Sequence, residues 1–100
     1  MNEWLQGFRH KFSGMSMQEA EMVAQVSASS SEDELGKNHP TTLEAKTHYG
    51  FILQQLRKLG EAKRVYSQVI SASNRAPEND EIIRIAQQHL ASIAQHPGIH

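Results

Sequence analysis

Five apolar residues, Ala45, Tyr49, Ile52, Leu56 and Leu59, follow one another at steps of four, three, four and three. Steps of that kind return each side chain to one face of a helix, whereas a strand, with its period of two, would scatter them over both faces. The centre of the chain is thereby committed to an amphipathic helix of about four turns. Its start is marked by Asn38-His39-Pro40, which cannot continue an earlier helix, and by Thr41-Thr42-Leu43-Glu44, which has the form of a capping box with Thr41 as the cap. Gly60 is read as its break.

Beyond Gly60, the residues Ala62, Val65, Tyr66, Val69 and Ile70 restart an apolar face on a helix ending near Ser73 or Asn74, so the two helices form a tight hairpin. Upstream, Trp4, Leu5, Phe8 and Phe12 form the stripe of a short helix, and Ser13-Gly14 reads as a break. Ser16-Met17-Gln18-Glu19 is a second capping box and opens a helix with Met17, Ala20, Val23, Ala24 and Ala28 on one side. That helix either runs to Leu35 with Gly36 as a left-handed cap or frays into a loop across Ser29 to Glu34, where serines make a poor helix interior. Pro77, Glu78, Asn79 and Asp80 open a last helix carrying Ile82, Ile85, Ala86, Leu90 and Ile93, which Pro97-Gly98 stops. No stretch alternates apolar and polar residues with β-branched enrichment. The fold class read from the sequence is all-α, with four to five helices.

Glu19-Ala20 recurs as Glu61-Ala62, 42 residues later. Leu35-Gly36, His39-Pro40, Thr42-Leu43, Tyr49-Gly50, Leu53, Leu56, Glu61-Ala62, Tyr66 and Ile70 together resemble a tetratricopeptide repeat of the kinesin light chain type, a long variant of a two-helix unit. The resemblance covers Leu35 to Ile70 and implies a short α-solenoid. Residues 1–34 would be a degenerate first hairpin, 35–74 the central repeat and 77–96 a capping helix. It further implies that Gly50, Leu53, Leu56, Ala62, Tyr66 and Ile70 pack the repeat. Lys46, Tyr49 and Gln54 would lie on or near the helix that lines a groove for a peptide or helix of a partner protein. Without the family, Gly50 and Ala62 still read as small residues on facing positions that let two helices approach closely.

Stacked repeats bury their faces only against neighbours, and about three are needed for independent stability. One full repeat between two partial ones therefore predicts apolar faces that a partner or a second copy would cover. Composition points the same way: apolar residues are 38% of the chain, below the roughly 45–50% usual for globular proteins on a count that includes Gly. A formal charge of −1 offers no overall field for nucleic acid or an acidic membrane surface. The absence of Cys excludes disulfides, thiolate metal sites and thiol catalysis. No apolar run approaches a signal or membrane segment, so the default placement is cytoplasmic.

His96 and His100 have the spacing of one helical face, but Pro97 and Gly98 intervene and the pair reads as a tail. His89 lies among apolar positions as a core or interface histidine, His48 sits beside the seam facing solvent, and His39 serves the turn before Pro40. Arg57, Lys58, Lys63 and Arg64 cluster around Gly60 and raise a helix-turn-helix reading, with 63–70 as the recognition helix. Glu61 and the lack of further positive charge weigh against it. Ser29 to Glu34 resembles the text an acid-directed kinase modifies, and also suits a plain connector. Trp4, Phe8 and Phe12 pack the first helix onto the hairpin, with partner contact as the competing role for Trp4 and Phe8. No nucleophile elbow, phosphate-cradling loop or zinc spacing is present, so neither an enzyme nor a cofactor is expected. The expected function is protein–protein interaction, as an adaptor or scaffold. The alternatives are a self-assembling homo-oligomeric subunit and a DNA-binding protein.

Overall fold

The computed structural model describes residues 3–72 and 80–94, with side chains from residue 6 onward. These residues form five helices and no strand: α1 (Glu3–Lys11), α2 (Met17–Leu35), α3 (Pro40–Gln55), α4 (Leu59–Ser71) and α5 (Asp80–Ala94). The chain is all-α, a short stack of helical hairpins. Pro77, Trp4 and the Pro97 to His100 tail, on which sequence readings were placed, lie outside the described side chains.

Helix α2 begins as its capping box dictates. The Glu19 amide donates to Ser16 Oγ and the Ser16 amide donates to Glu19 Oε1, each at 3.1 Å. It continues unbroken through Ser29-Ser30-Ser31 to Leu35, so the loop alternative does not hold. The weak serine propensity is overridden by tertiary contact: Ala20, Ala24 and Ala28 are buried, and Glu32 pairs with Lys46 of α3 at 2.8 Å. Gly36 closes the helix at φ 93°, a backbone that disfavours any Cβ, and its amide donates to the Glu32 carbonyl.

The start of α3 differs from expectation. His39, not Thr41, is the cap: its Nδ1 accepts from the Thr41 amide at 3.1 Å, and Pro40 occupies the first turn, where its missing N–H costs nothing. The end differs too. The chain turns at Arg57, which has φ 66°, and the Lys58 amide donates to the Leu53 carbonyl. Gly60 lies inside the first turn of α4 and is not the break. Helix α4 ends at Ser71, slightly before the expected point.

Helix α3 is the hub. It packs against α2 on one side and α4 and α5 on the other, and α4 and α5 also pack together. Two apolar clusters result. Leu43 and Leu53 of α3 join Ala62, Val65, Tyr66 and Val69 of α4 and Ala86 and Ile93 of α5. Ile52, from the opposite side of α3, joins Phe8 of α1, Phe12 just beyond its end, and Ala20 and Ala24 of α2, with Leu56 and Tyr49 partly buried alongside. The space facing Gly50 is filled by the Tyr66 ring. A Cβ on Gly50 would sit 2.7 Å from Tyr66 Cε1, so only hydrogen fits there.

Candidate functional site: the groove between α2 and α4

Aromatic contacts link α1, α3 and α5. Phe8 meets Phe51 edge-on at 4.9 Å, and Phe51 meets His89 edge-on at 5.3 Å. His89 also stacks on Tyr66 at 5.6 Å, and its Nδ1 lies 2.8 Å from the Ile85 carbonyl. Helices α2 and α4 also each pack on α3. Between them the surface opens into a groove.

The groove is made of two adjoining cavities that share Glu32, Lys46 and Gln68, of about 470 and 170 Å³. Its floor is α3, which contributes Lys46 and Tyr49. Gln25, Ala28, Ser29 and Glu32 of α2 form one wall, and Val65 and Gln68 of α4 form the other. Lys37 and Asn38 line the wider end, opposite Ser71 and Ala72. The lining is mixed: amides, hydroxyls, one carboxylate and two ammonium groups, with apolar patches from Ala28, Val65 and the Tyr49 ring. A surface of that kind offers hydrogen bonds to a peptide backbone and shallow contacts to its side chains.

Of the residues expected at a partner site, Lys46 and Tyr49 reach this groove. The Lys46 side chain is only 12% exposed, and its ammonium, hydrogen-bonded to Glu32, holds that carboxyl below its usual range. Gln54 does not reach the groove. Its Oε1 accepts from the Tyr66 hydroxyl at 2.9 Å, and burial pushes that hydroxyl's pKa up. Phe8 is buried against Phe12, Phe51 and His48.

His48 corrects a sequence reading. It does not face solvent: it is 4% exposed, with Phe8 and Phe12 edge-on to its ring at 5.5 and 6.0 Å. Burial, with a smaller contribution from Lys11, lowers its pKa to about 4. The seam of α3 could not reveal this, because the cover comes from α1. The groove walls Glu32 and Gln68 were likewise missed; each sits on a helix whose orientation about α3 sets the wall.

At the hairpin tip, Lys58 Nζ lies 2.7 Å from Glu21 Oε2, which binds part of the basic cluster to α2. Among the described residues no group of three or more His, Asp or Glu is arranged to hold a metal ion, and no helix is long and apolar enough to cross a membrane. No known protein family, curated protein or solved structure matches the chain.

Proposed function

We propose that the chain is a tetratricopeptide-like protein-interaction module, an adaptor or scaffold that holds a peptide segment of another protein in the groove between α2 and α4. The observation that carries the reading is the groove itself, a cleft of mixed lining over α3 with Lys46 and Tyr49 at its floor. Its mixed lining suits an extended chain with several weak contacts better than a compact small molecule, whose pockets are mostly apolar and enclosing.

The test is selection of a random peptide library on the immobilised protein, followed by titration of an enriched peptide. Ser29 and Gln68, exposed on opposite walls, are the positions to block. The expected result is an enriched consensus whose affinity drops about ten-fold or more in a Ser29→Arg, Gln68→Arg variant. Enriched peptides that bind the variant and the wild type alike would remove the groove from the proposal.

A further inference from the structure

The outward face of α2 carries an exposed apolar patch that shares no residue with the groove. Large apolar residues exposed on this helix include Met22 at 67%, Val26 at 59% and Val23 at 39%. With Glu19, Ser30 and Asp33 they fall on one stripe of the helix, at spacings of three, four, seven, eleven and fourteen from Glu19. The buried residues Ala20, Ala24 and Ala28 lie on the opposite side. The stripe is therefore apolar at its centre and acidic at both ends, over about 21 Å.

Charge selects what can cover it. Helix α2 holds five carboxylates, Glu19, Glu21, Glu32, Asp33 and Glu34, and no Lys, Arg or His. Glu21 and Glu32, on the inner flank, pair with Lys58 and Lys46. Asp33 and Glu34 form no ion pair among the described residues, and Glu34 extends the acidic end next to the stripe. A second copy is a poor match. Val26 is midway between Glu19 and Asp33, so antiparallel pairing of two α2 helices about Val26 would set Glu19 against the other copy's Asp33. Parallel pairing would set each acid against itself. Both arrangements place like charges together beside the only apolar contact. An anionic membrane or nucleic acid meets the same repulsion.

We infer that the outward face of α2 docks a basic amphipathic helix of another protein. The partner's apolar stripe lies over Met22, Val23 and Val26, and its Lys or Arg residues flank that stripe to meet Glu19 at one end and Asp33 with Glu34 at the other. Met22 supplies a pliable, polarizable side chain that accepts differently shaped apolar partners. The surface is small, so binding is weak and salt-sensitive.

The test titrates the isotope-labelled protein with an amphipathic leucine–lysine peptide of about five helical turns, alongside a shuffled peptide of the same composition. Expected are amide shifts centred on 19–34, weakening of about ten-fold in Val26→Ser and in Asp33→Lys, Glu34→Lys, and loss of binding on raising salt. Both variants change exposed positions, so circular dichroism should show an unchanged fold. Three results would overturn the assignment: equal binding of the shuffled peptide, shifts centred away from α2, or self-association of the free protein in sedimentation that Val26→Ser abolishes.

Discussion

Gly50 and Tyr66 meet closely between the two central helices. The Tyr66 ring is fully buried, its hydroxyl is held by Gln54 and one face is covered by His89, so it has little room to yield to an added methyl group. Gly50→Ala should destabilise the fold by about 1–3 kcal/mol, read as a lower urea midpoint. Adding Tyr66→Leu to that variant should cost less than the sum of the two single changes, because the clash is then relieved. Thr42 makes the opposite case. Its Oγ1 is buried with no hydrogen-bond partner among the described residues, so Thr42→Val should be neutral or stabilising by on the order of 1 kcal/mol in the same measurement. The small residue at Gly50 was legible in the sequence because glycine within an apolar helical pattern needs a packing reason. The burial of His48 was not, because its cover comes from Phe8 and Phe12 and not from its own helix.

At the level of elements, helix starts were legible where a side chain caps its own backbone, as Ser16 does with Glu19. The α3 start was misread because two caps compete: Thr41 offers a box with Glu44, but Pro40 already suits the first turn and leaves the capping role to His39. His39→Ala should lose about 1 kcal/mol and His39→Asn should retain most of it, by thermal unfolding. Among the described side chains, helix α1 is held by Phe8 and the adjoining Phe12 over His48, and this attachment depends on pH. The folded pKa of His48, about 4, lies below its ordinary 6.5, so the unfolded chain binds the proton first. The neutral imidazole's contribution is complete above pH 6.5 and is lost as pH falls toward 4, by at most roughly 3 kcal/mol. Urea midpoints at pH 7 and 4.5 should differ in the wild type, and the difference should shrink in His48→Leu. An unchanged difference would assign the acid response to other groups.

For the whole molecule, the helical class and the central hairpin could be read from periodicity, since the apolar steps of α3 and α4 are local properties of the chain. The groove could not. It exists because α2 and α4 both pack on α3 and leave a gap between themselves, an arrangement set by pairwise packing and not by any one segment. Lys46 and Tyr49 were placed at it because they lie on the floor helix, while Gln54, one turn beyond Gly50, is drawn away to Tyr66.

The position of α3 also governs how the chain comes apart. Hairpin stacks usually unravel unit by unit, since each repeat meets only its neighbours. Here one helix carries side chains into both apolar clusters, Leu43 and Leu53 into one and Ile52 into the other. Neither cluster can disassemble fully while α3 stays in place, so its amides should exchange with solvent only through global unfolding and be the slowest in the chain. The α1 amides should exchange through a separate, cheaper opening that becomes cheaper still in acid. Native-state hydrogen exchange at two pH values would read both rates, and α1 amides as slow as those of α3 would show a single cooperative block.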